Sequence, residues 1–408
     1  MRKLKKSGAR SSKDLPLSGQ LPTENLARRD ENGLTAELAA YQAIFAPLFT
    51  RSEQREWAHL YLRGQLSDLE RKSIEPMVLN ERGVDPNAVR AVQQFIGEGA
   101  WSDEAILDQH QKLVGKNLGE DDGVAIIDLN GFPKKGKHSV GVATQYCNAL
   151  GKVTNCQQGV FVVYATRRGY TFADRRLYMP REWFDDERAE LRKKCRVPTD
   201  LKFKTETQLS LEMLKGLVRR GSLPFRWVAV RERYGMNHPA FLNGVARLGK
   251  WYFVEISVKG ALEVRRLSAQ LPEGAWRRYT IEEGSKGSNA VEFAFLRASC
   301  KHSHRPDAEV WVVLRRGAND LHQINLYLSN APIYIPHSEL ARVSGLIWSA
   351  ERAIEEGKSK LGMDHYETRT WQGWHHHMTM VFLAHHFLVR LLMKLQNSYR
   401  YNEPKDDI

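Results

Sequence analysis

The stretch VAIIDLNGFPKKGK, residues 124–137, marks a change in the pattern of the chain. Before it, apolar residues recur every three or four positions, as they do in amphipathic helices. From residue 124 onward they stand in short continuous runs, which are typical of strands buried on both faces. Such runs follow at 160–163, 170–178, 226–230 and 251–256, with helical patterns at 207–220 and 239–248. This order of elements predicts a mixed α/β core.

The pattern divides the chain into six segments. In chain order these are a basic flexible leader at 1–33, a helical domain at 34–118, the first part of the core at 119–256, a β-rich insertion at 257–335, C-terminal helices at 336–398 and a tail at 399–408. The helical domain holds four or five short helices, one of them expected at the capping box 67–70 after a turn at Gly64. Later signals are strand-like runs at 291–296, 310–314 and 324–328 and long helical patterns at 337–361 and 371–396.

The charge of the chain points to its partner. The 408 residues include 61 Lys and Arg against 48 Asp and Glu, a net charge of +13. Basic pairs are spread along the whole chain, so no single tail explains the excess and a polyanion is the expected partner. A hydrophobic content of 42% is that of a folded globular protein.

Cysteine usage and hydropathy predict the compartment. The four cysteines are scattered and form no CxxC pair, which excludes a disulfide framework and favours a reducing cytosol. No apolar segment follows the cationic amino terminus, so a secretory signal is not expected. The apolar stretch 378–395 is interrupted by histidines and basic residues, which favours a buried helix over a bilayer span. A soluble cytoplasmic protein without a membrane partner is predicted.

Asp128 directly follows an apolar run, which predicts a carboxylate at the end of a central strand. Hard divalent cations need oxygen ligands held on such rigid elements, although an Asp at a strand end is more often a turn or cap residue. Lys134, Lys135 and Lys137 follow in a glycine-containing loop that is able to approach and hold a backbone phosphate. The alternative for these lysines is a solvated basic turn.

Glu351 and Lys358 stand seven residues apart in a helical pattern, so they share one helix face at a separation of about 10 Å. At this distance they do not pair directly, but they could bind a metal ion and a phosphate along one nucleic-acid strand. The alternative is an exposed charged face shared with Glu355, Glu356 and Lys360.

Five histidines stand near the carboxyl end, at 375–377 and 385–386. Consecutive histidines on a helix point in different directions, and no carboxylate stands at a matching spacing, so a zinc site is not expected. They are interpreted as interface or core residues.

Six segments in a fixed order carry a resemblance to a known family. They are IIDLNGFPKKGKHSVGVATQYCNALGKVTNCQ (126–157), DRRLYMP (174–180), FRWVAVRERYG (225–235), LGKWYFVEI (248–256), LYLSNAP (326–332) and GMDHYETRTWQGWHHHMTM (362–380). They resemble the DDE transposases of bacterial insertion sequences, in the group usually called seven-oh-one, related to the insertion-sequence-four type. The likeness extends from about residue 69 to residue 392.

The resemblance implies a ribonuclease-H-like core of the retroviral-integrase type, with a β-rich insertion before the last acidic residue and C-terminal helices that complete the core. Family members hold two Mg²⁺ ions on an Asp, a second Asp and a Glu, and use them for DNA hydrolysis and strand transfer. The first Asp falls on Asp128. The helical Glu and Lys of the family fall on Glu351 and Lys358, which makes Asp128 and Glu351 the implied catalytic and metal-binding residues and Lys358 the implied phosphate contact.

The second acidic residue of the family is missing. Arg231 stands at its position within the segment 225–235. A guanidinium does not ligate Mg²⁺ and repels it, so an ion pair of Arg231 with Asp128 or Glu351 is predicted. Glu232 is the next residue, but successive strand residues face opposite sides, so it could substitute only through a bulge or a strand end.

Two functions follow from this departure. The preferred one is a transposase-family DNA-binding protein that is catalytically inactive or impaired because of Arg231, without a metal requirement. The alternative is an active insertion-sequence transposase that uses Mg²⁺ or Mn²⁺ for strand cleavage and strand transfer. Both predict double-stranded DNA as the partner, as transposon ends or a derived site, with a homodimer on the DNA and association with the nucleoid. DNA contacts are assigned to the helical domain 34–118 and to Lys134, Lys135, Lys137 and Lys358.

Overall fold

The computed structural model describes residues 31–231, 239–256, 270–282, 288–299, 309–317 and 320–402. Helices come first: α1 Glu31–Ala43, α2 Ser52–Leu66, α3 Ile74–Arg82, α4 Pro86–Gly97 and α5 Asp103–Leu118. The later helices are α6 Ala189–Lys194, α7 Glu206–Arg220, α8 Pro239–Arg247, α9 His337–Leu346, α10 Trp348–Leu361 and α11 Trp371–Asn402. The strands are β1 Val124–Pro133, β2 Ala143–Cys147, β3 Lys152–Thr166, β4 Gly169–Tyr178, β5 Trp227–Val230, β6 Trp251–Ile256, β7 Arg277–Glu282, β8 Ser288–Ser299, β9 Glu309–Gly317 and β10 Asp320–Ser329.

The described strands form one mixed sheet. Its centre has the order β4-β3-β1-β5-β6, in which β4, β3 and β1 are antiparallel neighbours and β1, β5 and β6 are parallel neighbours. Beyond β6 the sheet continues as β10-β9-β8-β7 with antiparallel pairing, and β2 pairs with the first part of β3. The predicted mixed α/β core is confirmed, and this large mixed sheet fits a nuclease fold of the ribonuclease-H-like type.

Helix α11 lies at the centre of the hydrophobic core. Its residues Trp374, Met378 and Phe382 are fully buried. Phe382 stacks on Phe172 of β4 with ring centroids 4.6 Å apart, an arrangement that contributes about 1 kcal/mol beyond area burial. Among the described helices, the stretch Trp371–Gln396 is long and apolar enough to cross a bilayer, yet 72% of its most apolar window is buried inside the protein. This is the burial expected of a core helix.

The caps of α7 show why local sequence predicts this helix well. Thr205 Oγ1 accepts a hydrogen bond from the Gln208 amide, and Gln208 Oε1 accepts one from the Thr205 amide, which completes a capping box. Gly221, at φ +64°, ends the helix in the left-handed region that favours glycine.

The capping box predicted at residues 67–70 is wrong. Gly64 lies inside α2, and the next helix begins only at Ile74. The Ser67 hydroxyl donates to the Gly64 carbonyl at 2.7 Å, so it caps the end of α2 instead of opening a new helix. Gly64 is required by packing: a Cβ there would lie 2.5 Å from Cγ of Met77 on α3.

Two further boundaries differ from the sequence pattern. The pattern at 337–361 is two helices, α9 and α10, separated at Ile347. Strand β1 continues to Pro133, so Asp128 lies within the strand and not at its end. The strand-like runs at 291–296, 310–314 and 324–328 all lie in strands, whereas β2 and β7 were not predicted.

Candidate functional site

The register of three parallel strands places an acidic residue, a basic residue and a second acidic residue side by side. Ile127 of β1 pairs with Val230 of β5, and Val230 pairs with Val254 of β6. The residues that directly follow these three are Asp128 after β1 Ile127, Arg231 after Val230 and Glu255 after Val254. Because neighbouring parallel strands run in the same direction, these three residues stand in a row at one edge of the parallel pairing.

Arg231 joins this row to helix α10. Its Nη1 forms an ion pair with Oε1 of Glu351, and its Nε lies 3.8 Å from Oε2 of Glu255. Burial alone would lower the pKa of Arg231, but the surrounding carboxylates, Glu351 first and then Glu255 and Asp128, outweigh it and raise that pKa above its ordinary value. The predicted ion pair between Arg231 and Glu351 is therefore present.

Glu255 is a member of the row that sequence reasoning missed. Its side chain is only 14% exposed, and its Oε1 accepts a hydrogen bond from Nδ2 of Asn325 on β10 at 2.6 Å. The signal that could have found it is the strand register, because Glu255 follows the apolar run of β6 at the same level at which Arg231 follows that of β5.

The donor set does not fit a pair of magnesium ions. Mg²⁺ requires an octahedron of oxygen ligands, and a guanidinium supplies only N–H donors. Arg231 engages Glu351 directly and lies within 4 Å of Glu255. Across the described ranges, no group of three or more His, Cys, Asp or Glu is placed to hold a metal ion. Glu232, the predicted substitute, lies outside the described residues.

Lys358 is held against β1 beside this row. Its Nζ donates to Oδ1 of Asn130 at 3.1 Å, two residues beyond Asp128. Burial lowers the pKa of Lys358, while the negative charges of Asp364 and Asp128 act in the opposite direction. Glu351 and Lys358 on α10 thus both reach the same edge of β1 and β5.

The alternative of an exposed charged face on α10 is wrong for one of its members. Glu355 is exposed, whereas Glu356 is buried and accepts hydrogen bonds from Arg352 Nε at 3.1 Å and from the Tyr170 hydroxyl at 3.1 Å. Glu356 therefore points into the protein interior, where these hydrogen bonds fix its position.

The three lysines after β1 do not behave as one exposed set. Lys134 Nζ lies 3.5 Å from the centroid of the Tyr366 ring and 3.4 Å from the Tyr366 carbonyl oxygen. Burial lowers the pKa of Lys134 to about 8, against the opposing charges of Asp364 and Glu367. Lys135 and Lys137 are exposed. Only these two lysines of the loop stand free to approach a phosphate without rearrangement.

The hairpin of β2 and β3 is fastened next to the site by two asparagines. Oδ1 of Asn148 accepts from the Gly131 amide at 2.6 Å, and its Nδ2 donates to the Leu129 carbonyl. Nδ2 of Asn155 donates to the carbonyls of Lys134 and Gly136 at 2.7 and 2.9 Å. The hairpin, β1 and the lysine loop are therefore tied together.

The histidines of α11 are core residues, which was one of the two interpretations of the sequence, the other being interface residues. His376, His377, His385 and His386 are fully buried. His377 shows the pattern: its Nδ1 lies 2.7 Å from the Tyr61 hydroxyl and its Nε2 lies 3.2 Å from the Met363 carbonyl. Burial lowers the pKa of His377 to about 3, so the ring is neutral in the folded protein at pH 7.

Comparison with known proteins identifies the family of this chain. A sequence model of the family described as DDE superfamily endonuclease matches residues 44–273, which is more than half of the chain. The chain belongs to the DDE superfamily endonucleases, a superfamily that generally uses divalent metal ions and whose substrate is DNA.

One relative indicates to which group within this superfamily the chain is similar. The chain is 26% identical over 337 residues to a protein described as a probable transposase for insertion sequence element IS701 from Microchaete diplosiphon, and the match covers 79% of this chain and 78% of that protein. The resemblance to the seven-oh-one group of transposases is confirmed. The structure of the NurA nuclease from Sulfolobus solfataricus aligns with 75% of this chain and 94% of its own at 10% identity, but the TM-score of 0.28 is too low to support any argument.

Proposed function

We propose that this protein is a transposase-family DNA-binding protein that does not cleave DNA. The observation that supports it is the position of Arg231, which stands in register between Asp128 and Glu255 and forms an ion pair with Glu351. A guanidinium at this position supplies one fixed positive charge where metal-dependent cleavage needs mobile cations. Asp128 and Glu351 are proposed as the remaining residues of the former catalytic set.

The proposed DNA contacts surround this position. Lys135, Lys137 and Lys358 offer ammonium groups to phosphates, and Lys134 supports the loop from its place on Tyr366. The helices of residues 34–118 are proposed as a further DNA-binding part, and strands β7 to β10 as an insertion before Glu351. The proposed partner is duplex DNA at transposon ends or a derived site, bound by a homodimer and associated with the nucleoid.

The test is incubation of the full chain with end-labelled duplexes that span both boundaries of its own gene, in Mg²⁺ or Mn²⁺. We expect a shift of the duplex in a gel without any nicked product. The second candidate function is an active transposase in which Glu232 replaces the lost acidic residue. Specific nicking that disappears in Asp128→Ala would establish that alternative and refute the proposal.

A further inference from the structure

The tip of the β2–β3 hairpin carries exposed apolar side chains. Tyr146 and Val153 form a cross-strand pair and are 50% and 64% exposed, and Leu150 in the connecting turn is 49% exposed. An apolar pair directly opposite each other on two strands normally packs against another layer. Here the described part of the chain leaves this pair open to solvent.

The base of the same hairpin is rigid. Cys147, next to Tyr146, is fully buried and lies so close to β1 that a Cβ on Gly131 would be 2.6 Å from its Sγ. The Asn148 side chain accepts a hydrogen bond from the Gly131 amide and donates one to the Leu129 carbonyl of β1. Between these two residues lies Asn130, whose side chain accepts a hydrogen bond from Lys358. The exposed tip is therefore presented from a fixed base next to the candidate site.

The charge around the tip favours nucleic acid over a second copy of the chain. Residues 129–173 contain no Asp or Glu, and Lys152 at the tip is exposed together with Lys135 and Lys137. Asn155 ties the lysine loop to the hairpin. Two such tips facing each other would bring like charges together, whereas phosphates beside unstacked bases would complement both the lysines and the apolar side chains.

We propose that Tyr146, Leu150 and Val153 form an apolar wedge that enters bound DNA at an unstacked base step, while the neighbouring lysines hold the flanking phosphates. Apolar side chains inserted between base steps kink or open a duplex, and an aromatic ring stacks on an exposed base. This inference rests on the proposed DNA binding and adds to it the part of the surface that meets the bases.

The test compares two fluorescein-labelled 30-bp duplexes of the same sequence, taken from one boundary of the protein's own gene, one intact and one with a central T·T mismatch. Because a mismatch lowers the cost of unstacking, the wild-type protein should bind the mismatched duplex about tenfold more tightly. The triple variant Tyr146→Ser, Leu150→Ser, Val153→Thr should lose this preference, whereas Tyr146→Trp should keep it. A 2-aminopurine beside the mismatch should brighten with wild type and not with the triple variant.

Two control variants separate the wedge from other effects. Ile333→Thr with Tyr334→Ser removes exposed apolar surface from the loop between β10 and α9 and should leave the mismatch preference unchanged. Lys135→Gln with Lys137→Gln should weaken binding to both duplexes by the same factor, because phosphate contacts carry no base information.

The outcomes distinguish the inference from the function on which it rests. Failure of the wild-type protein to bind either duplex would overturn the proposed function and the wedge together. Binding with the same mismatch preference in wild type and in the triple variant would overturn the wedge and leave DNA binding intact. A wild-type dimer that becomes monomeric in the triple variant by light scattering, with no change in preference, would assign the tip to a second copy and overturn the wedge.

Discussion

Arg231 reverses the charge at the centre of a row of acidic side chains. Asp128 and Glu255 stand on its two sides in the sheet, and Glu351 reaches it from α10. Three carboxylates gathered at one edge repel one another, and each would favour protonation of its neighbours. A guanidinium remains charged at any useful pH, so Arg231 offsets this repulsion without metal.

Arg231→Asp should make the folded protein depend on divalent cations. The variant places a fourth carboxylate in the cluster and removes its counter-charge, so the free energy of unfolding should fall in EDTA by more than about 1 kcal/mol, the upper value for an exposed ion pair. Mg²⁺ or Mn²⁺ should restore part of it. The measurement is thermal unfolding with and without the cation.

Arg231→Gln is the matched control for this experiment. It removes the same positive charge without adding an oxygen anion, so its melting temperature should fall but should not recover with Mg²⁺. If Arg231→Asp also gains no stability from either cation, Arg231 is not at the position of the second acidic residue.

At the scale of elements, the lysine loop and the β2–β3 hairpin act as one unit. Asn155 holds the loop carbonyls, and Lys134 lies on Tyr366. The loop is thus neither a fully solvated turn nor a set of three equivalent phosphate ligands. Two of its lysines are exposed, and the third is a packing residue.

The salt dependence of DNA binding should distinguish the exposed Lys135 and Lys137 from Lys134. Lys135→Gln with Lys137→Gln should lower the slope of log affinity against log salt by about 1.8, because each phosphate neutralised on duplex DNA contributes about 0.9. Lys134→Gln should leave the slope nearly unchanged. Titrations of a labelled duplex at several salt concentrations measure this, and an equal effect of all three lysines would contradict the distinction.

Helix α11 should make the protein sensitive to acid. The pKa of His377 is lowered to about 3 in the folded protein, whereas an unfolded histidine titrates near 6.5. Between these values the unfolded chain binds more protons, so the free energy of unfolding falls as the pH falls from about 6.5 toward 3. One such histidine contributes about 1.4 kcal/mol per pH unit within this range.

Urea unfolding of wild type and His377→Gln at a series of pH values tests this contribution. The variant lacks the titrating ring, so its stability should decrease less steeply below pH 6.5, although it is less stable at pH 7 because the Tyr61 hydroxyl loses its partner. Parallel curves for the two proteins would show that His377 binds its proton at the same pH in the folded and unfolded states, so that its pKa is not lowered by folding.

At the scale of the whole molecule, the amino-terminal helices and the sheet share one core. The main apolar cluster contains residues from Leu38 to Leu391. The Tyr41 hydroxyl donates to the Leu383 carbonyl at 3.1 Å, and Tyr61 contacts His377, so α1 and α2 both bond to α11. The division at about residue 118, which the sequence pattern suggests, crosses this core.

The intact chain should therefore unfold in a single cooperative transition. Calorimetry should give equal calorimetric and van't Hoff enthalpies, and Tyr61→Phe should lower the midpoint of the whole transition. A version of the chain that starts at residue 119 should aggregate, because it exposes the face of α11 that α2, α4 and α5 cover. Two separate transitions would instead indicate independent domains.

Local sequence patterns are sufficient to predict the elements whose conformation depends on short-range interactions. Continuous apolar runs predict β1, β5 and β6, because strands buried on both faces need no polar alternation. The caps at Thr205 and Gly221 are local signals, and they predict the bounds of α7 within one or two residues. The replacement of an acidic residue by Arg231 is also visible in the sequence, because the surrounding segment keeps its pattern.

Other contacts at the site become visible only in the folded protein. Glu255 joins Arg231 through strand register, which depends on pairing between segments that are distant along the chain. The burial of Lys134 on Tyr366 and the false capping box after Gly64 depend in the same way on contacts with other elements. Local sequence patterns predict the conformation of a segment, but they do not predict which distant segments pack against it. The chemistry of this site depends on side chains that tertiary packing brings together from such distant segments.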